Sequence, residues 1–196
     1  MKRRFFLKAR ARGAGLGGFS TDARGVAAVE FALAAPVLIM ILVALVDLGS
    51  VLFIRFQLDS AVAAGANYAL VNGSSVSSTN GAALASTLAG VVASSQGTNS
   101  ANSSITVNNG PAAGSSSGTV TTSGTASSAD SCYCPTGAGS GMTWGSAQTC
   151  GTSCTGGGYA GKFVVLTASR SYSPLLTGYG FANSGTVTTT SVVQVQ

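Results

Sequence analysis

An apolar segment of 24 residues, Phe31–Ile54, constrains this chain more than any other feature of its sequence. It lies between Glu30 and Arg55, and Asp47 is its one charged residue. A helix of this length extends about 36 Å, and the hydrocarbon core of a bilayer is about 30 Å thick. A long helix in a soluble core would carry a polar face, and none is found before Asp47. The segment therefore predicts one membrane-spanning helix.

The charges of the chain are divided unevenly along it. Seven of the ten Lys and Arg residues lie within residues 1–25, and three lie in the remaining 171 residues. A protein that binds nucleic acid needs cations on its folded surface, so this class is excluded. By the positive-inside rule, we expect residues 1–25 to be a basic leader that stays in the cytoplasm.

The composition argues against catalysis. The chain has no histidine and five carboxylates, none of which is near another in sequence. This removes the usual general base, the Ser–His and Cys–His nucleophile pairs and the commonest zinc ligand. No Ser-x-x-Lys motif is present to activate a serine. The sequence predicts a protein that is not an enzyme and that uses no cofactor or metal.

The predicted helix continues beyond the membrane. After Arg55, small apolar residues recur at three- and four-residue steps and form one helical stripe. A transmembrane and amphipathic helix is predicted over 26–71, ending close to Asn72-Gly73. A secretory signal that is removed would have a shorter apolar stretch, so a retained anchor is favoured. The stripe consists of Leu58, Ala61, Val62, Gly65 and Ala69.

A short motif at Gly25–Glu30 precedes the apolar segment. Gly25 is followed by Val26 and, four positions later, by Glu30, an arrangement that resembles a prepilin cleavage site. From Pro36 onward, the apolar run and the stripe resemble TadE-like proteins, which are pseudopilins or minor pilins of Tad systems that build Flp pili for adherence. The resemblance is close over residues 24–70. It implies a type IV pilin-like fold, cleavage after Gly25 by a prepilin peptidase, and partnership with other pilin subunits and the Tad inner-membrane assembly machinery.

The resemblance also implies that Glu30 aligns subunits by pairing with the α-amino group that cleavage creates on Val26. An ionised carboxylate at the bilayer centre costs about 2.5–3.5 kcal/mol or more, so it requires a partner there. The alternative is that Glu30 reaches headgroup water by snorkelling. Asp47 has two similar interpretations, intramembrane pairing with a partner outside this helix or a place near the outer interface. Arg55 is about 12 Å away along the axis and cannot reach it.

Four cysteines lie close together in the sequence, as Cys132 and Cys134 followed by Cys150 and Cys154. The first pair is too tightly spaced for a zinc knuckle. One membrane crossing places the cysteines in the periplasm, where thiols are oxidised, so two disulfides are predicted in preference to a metal site. Nested pairing of the four would staple a loop across the Gly-rich stretch, but the spacing leaves all three connectivities open.

The remaining segments predict a small sheet. Within the Ser/Thr/Gly-rich residues 72–130, we expect a short helix at about 81–94, a strand at 105–107 and another near 118–123. Residues 131–196 are predicted to hold the disulfide loop and a C-terminal β-hairpin. Met142 and Trp144 are expected to form the small core of that loop. The hairpin faces are marked by alternating residues that include Val164, Leu166, Ala168, Val187, Val193 and Val195.

The predicted fold class is therefore α+β, a long N-terminal helix packed on an antiparallel sheet of three or four strands. The predicted function is that of a TadE-like pseudopilin or minor pilin. It would cross the bacterial inner membrane once, with the N-terminus in the cytoplasm and the C-terminal domain in the periplasm. The alternative is an uncleaved, signal-anchored periplasmic protein whose Ser/Gly-rich domain binds a partner.

Overall fold

The computed structural model describes residues 25–95, 101–175 and 185–196. The chain divides into two compact units, residues 1–43 and 44–196. Apart from Gly25, the predicted leader lies outside the described residues. All five strands and the second helix belong to the second unit.

The predicted long helix is present as α1, Val26–Val71. It continues through Pro36, and no residue from Val26 to Val46 is buried. Among the described helices, α1 is the one long and apolar enough to cross a membrane. The predicted stripe is confirmed, because all of its residues are buried. Ile54, four residues before Leu58, is buried as well. The buried apolar positions are Ile54, Leu58, Ala61, Val62, Gly65 and Ala69.

The second helix, α2, spans Gly81–Ser94, as the spacing of its apolar residues predicts. Asn80 occupies the N-cap position, but its side chain makes no capping hydrogen bond. The buried residues of α2 are Gly81, Leu84, Ala85, Leu88, Ala89, Val92 and Ala93.

The sheet has five antiparallel strands, one more than the upper limit that the sequence predicts. Its order is β3-β2-β1-β4-β5, and the C-terminal hairpin β4–β5 is present as expected. The strands are β1 (Asn102–Val107), β2 (Ala112–Ser116), β3 (Thr119–Ser123), β4 (Phe163–Tyr172) and β5 (Gly185–Gln194).

The strand that the sequence analysis does not predict is β2. Its sequence, Ala-Ala-Gly-Ser-Ser, has no β-branched or aromatic residue, so propensity gives no signal for it. Tight turns on both sides create it instead. Asn108 and Asn109 have φ values of 49° and 55° before it, and Ser117 and Gly118 have φ values of 50° and 81° after it. Two successive positive φ values are typical of the turns that match the twist of a hairpin.

The core of the second unit lies between the two helices and one face of the sheet. Ile105 of β1 pairs with Ala113 of β2 and with Leu166 of β4, and all three are buried. Gly65 of α1 lies very close to this layer. A Cβ atom there would be 2.6 Å from Leu166 Cδ2 and 2.8 Å from Val92 Cγ2. The absence of a side chain at Gly65 therefore lets α1 approach both β4 and α2.

The cysteine loop is closed by two disulfides, which are crossed in sequence. Cys132 is bonded to Cys150, with their Cα atoms 5.1 Å apart, and Cys134 is bonded to Cys154, at 5.6 Å. The nested pairing considered from the sequence is therefore not the one formed. The reason is that Cys132 forms a β-bridge with Gln148, which brings Cys150 next to Cys132.

The small core of this loop differs from the prediction. Met142 and Trp144 are only half-buried, whereas Tyr133 is buried. The rings of Tyr133 and Trp144 meet edge to face with their centroids 5.8 Å apart. Asn108 joins the loop to the sheet, because its side-chain amide donates to the carbonyl oxygens of Ala129 and Ser131.

One polar contact joins two further loops of the second unit. The backbone N–H of Ser78 donates to the Asp130 carboxylate at 2.9 Å. The hydrogen bonds from Ser78 hold the pKa of Asp130 below its usual value. This contact favours the folded state at neutral pH, and it is lost as the pH falls through the lowered pKa of Asp130.

Gly65→Val tests the close packing of α1. We expect this change to lower the free energy of unfolding by about 1–3 kcal/mol, because the new methyl groups displace Leu166 and Val92. Gly90→Val on α2 is the matched control, since a Cβ at Gly90 has nothing within 4 Å. Guanidinium unfolding of the full chain in detergent micelles, followed by circular dichroism, measures both. Equal stability of the two variants would contradict the packing argument.

Candidate functional site

The predicted processing residues lie at the start of α1. Gly25 is a turn residue immediately before the helix, and the N–H of Val29 donates to its carbonyl oxygen at 3.3 Å. Val26 is the first helical residue and is exposed. The scissile bond expected between Gly25 and Val26 thus joins a turn residue to the first residue of α1. Gly25 and Val26 are both exposed.

Glu30 lies four residues after Val26, about one helical turn away on the same face of α1. Its side chain is exposed, and no described residue makes a hydrogen bond or an ion pair with its carboxylate. The placement leaves the carboxylate available to a group from outside the described chain.

Asp47 differs from Glu30, because its side chain is buried, with 5% of its surface exposed. Its Oδ1 atom accepts a hydrogen bond from the backbone N–H of Leu175 at 2.9 Å. The hydroxyl of Tyr172 donates to the main-chain carbonyl oxygen of Asp47 at 3.2 Å. Asp47 therefore has a partner outside its own helix, and this partner is the backbone that follows β4. We call this set of contacts the Asp47 clasp.

Two further polar contacts join α1 to the C-terminal hairpin. Nη1 of Arg170 donates to Oε1 of Gln57 at 3.1 Å, and the Thr189 hydroxyl donates to Oδ1 of Asp59. Arg55 is exposed on the helix and takes no part in them. These contacts and the Asp47 clasp attach the hairpin to α1 at three levels along the helix.

The sequence analysis does not identify Tyr172 and Leu175 as partners of Asp47. The one available signal is the Tyr-Ser-Pro sequence, Tyr172–Pro174, which indicates a bend after a strand. Such a bend does not reveal which part of the chain it contacts. The partner is a backbone N–H group, which every residue except proline carries, so side-chain chemistry gives no clue to it.

All four cysteines are in disulfides, as the sequence analysis predicts in preference to a metal site. Among residues 25–95, 101–175 and 185–196, no group of three or more His, Cys, Asp or Glu side chains is placed to hold a metal ion.

Comparison with known protein families identifies one match. Residues 25–67 match the model of the TadE-like protein family. The matched region begins at Gly25 and includes Glu30, Asp47 and most of the buried stripe. The match confirms the resemblance to TadE-like proteins over this region. Neither a curated protein nor a solved structure matches the chain.

Asp47→Ala tests the clasp. We expect a loss of about 1–3 kcal/mol in unfolding free energy, because the substitution leaves the N–H of Leu175 without its acceptor. Asp47→Asn keeps a side-chain oxygen that can accept this hydrogen bond, so we expect a smaller loss of unfolding free energy. Hydrogen exchange of the full chain in micelles, measured by mass spectrometry on the peptide that contains Leu175, reports the bond directly. The clasp is refuted if exchange at Leu175 is equally slow in all three proteins.

Proposed function

We propose that this protein is a membrane-anchored structural subunit of a Tad pilus assembly system, of the TadE-like pseudopilin or minor pilin kind. The observation that carries the proposal is that the TadE-like match falls on the exposed apolar helix and starts at Gly25. In this proposal a prepilin peptidase cleaves between Gly25 and Val26, and α1 stays with the mature protein as its anchor.

The proposed orientation follows from charge. The basic residues 1–25 remain in the cytoplasm, so residues beyond the span lie in the periplasm of a bacterial cell. An oxidising compartment suits the two disulfides of the cysteine loop. The protein acts by assembly rather than by catalysis, and its partners are the peptidase, other pilin subunits and the Tad inner-membrane machinery.

Lateral packing of helices is the proposed mode of assembly. Ala61 and Gly65 are buried in the chain's own core, so they are not available to a neighbouring subunit. Gly49 and Ala64 are exposed small residues on α1 that permit close approach of another helix. In this arrangement the Glu30 carboxylate of one subunit pairs with the new α-amino group of a neighbour, which offsets the cost of a charge near hydrocarbon.

Gly25→Leu tests the processing site. We expect this change to block maturation in a host that has a prepilin peptidase, because a bulky side chain replaces the glycine before the cleaved bond. Gly18→Leu is the matched control, since Gly18 is a leader glycine that lacks the following Val-to-Glu spacing. N-terminal sequencing and intact mass of protein taken from membranes measure the outcome. A wild-type chain that still begins near Met1 would favour the uncleaved, signal-anchored alternative.

Glu30→Ala tests the alignment role. We expect loss of fibre assembly with normal membrane levels and normal helix content, because the removed carboxylate lies on an exposed face and supports no described contact. Glu30→Asp keeps the charge and should retain part of the assembly. Pilus yield by shearing and electron microscopy is the measurement. Normal pili from the alanine variant would instead favour a snorkelling glutamate.

A further inference from the structure

The length of the apolar run before Asp47 indicates where the Asp47 clasp lies relative to the hydrocarbon core of the membrane. Phe31–Val46, the apolar run that precedes Asp47, has 16 residues and extends about 24 Å. This is less than the roughly 30 Å thickness of a hydrocarbon core. If Glu30 marks the cytoplasmic edge of the hydrocarbon core, that core extends past Asp47 toward Arg55, which is the next charged residue.

The exposed surface of α1 beyond Asp47 is consistent with this depth. Between Ala44 and Ile54, the exposed side chains are all apolar, and Phe53 has 62% of its surface exposed. Arg55 is the first exposed charged residue after them. Ser50 is half-buried in this stretch, and its hydroxyl donates to the carbonyl oxygen of Val46 at 2.8 Å. A surface whose exposed side chains are apolar, and whose one hydroxyl is already hydrogen-bonded, is suited to lipid rather than to water.

The C-terminal hairpin covers the opposite side of this same stretch of α1. β4 runs antiparallel to the helix, because Leu166 lies by Gly65 and Leu175 bonds to Asp47. The two paths agree in length. Gly65 and Asp47 are 18 residues apart along the helix, which is about 27 Å. Leu166 and Leu175 are nine residues apart along the extended chain, which is about 30 Å. The end of β4 is therefore level with Asp47.

We propose that the segment at the end of β4, Tyr172–Leu175, which we call the tip, enters the outer leaflet of the bilayer beside α1. In this proposal lipid surrounds the tip, at the level of the glycerol groups and the upper acyl chains. This inference rests on the proposed function to the extent that α1 spans the membrane.

The chemistry of the tip fits this environment. Leu175 has 68% of its surface exposed, while its backbone N–H is bonded to Asp47. Pro174 is buried and has no N–H to satisfy. Tyr172 combines an apolar ring with a hydroxyl that is already hydrogen-bonded, which suits the membrane interface. The tip thus covers a carboxylate that would otherwise face hydrocarbon, and its exposed residues are Ser173 and Leu175, a polar and an apolar side chain of the kind found together at the membrane interface.

Depth-dependent fluorescence quenching tests the proposal in the full chain, reconstituted in phosphatidylcholine–phosphatidylglycerol vesicles. Trp144 is the one tryptophan, so Trp144→Phe is the background for single reporters. Leu175→Trp places a reporter on the tip, and the side-chain change leaves the backbone bond to Asp47 in place. Lipids brominated near the glycerol or near the chain end supply the two quenching depths.

We expect Leu175→Trp to have blue-shifted emission and to lose most of its intensity with bromine near the glycerol. Leu38→Trp, at a position 54% exposed within the apolar run, should be quenched most by bromine near the chain end. Tyr159→Trp, at a position 66% exposed in the cysteine loop, is the control outside the membrane and should keep its intensity.

The outcomes separate this inference from the proposed function. Quenching of Leu38→Trp without quenching of Leu175→Trp would overturn insertion of the tip and leave the membrane anchor intact. This result would place the inner limit of the hydrocarbon near Val26 instead of Glu30. Loss of quenching at both positions would overturn the anchor and the inference together.

Discussion

Close packing of α1 against β4 and α2 is the interaction on which the rest of the second unit depends. The sheet is small and its residues are mostly serine, threonine, alanine and valine, so its two helices supply much of the apolar surface that it buries. Gly65 permits the close approach, and Leu58 and Val62 fill the layer next to it. A single helix thereby has two tasks, since its first half is exposed and apolar and its second half completes a folded core.

The Asp47 clasp and the hairpin contacts follow from the same packing. Once β4 lies along α1, the backbone after β4 reaches Asp47, and Arg170 reaches Gln57. A buried carboxylate without a hydrogen-bond donor would destabilise the folded state, and the Leu175 N–H removes that cost. Within the second unit, α1 and the hairpin are therefore joined by polar contacts as well as by the apolar core.

Much of the architecture was predictable, and particular residues show why. The buried stripe from Leu58 to Ala69 repeats at helical spacing, and Val164, Leu166 and Ala168 alternate as a half-buried strand does. Both patterns are local, so they can be read without knowledge of the fold. β2 has no such pattern, and its place in the sheet comes from the turns that flank it. Of the candidate site, the motif at Gly25 and Glu30 was visible, while the partners of Asp47 were not.

The sequence by itself determined the apolar helix, its amphipathic outer half and the concentration of basic residues within 1–25, because hydropathy, charge and spacing are properties of neighbouring residues. Only the tertiary structure decided that Cys132 pairs with Cys150 and that Asp47 bonds to Leu175. The Asp47 partner is 128 positions away and contributes a backbone group. Contacts of this kind depend on how elements pack in space, and no local pattern in the chain encodes them.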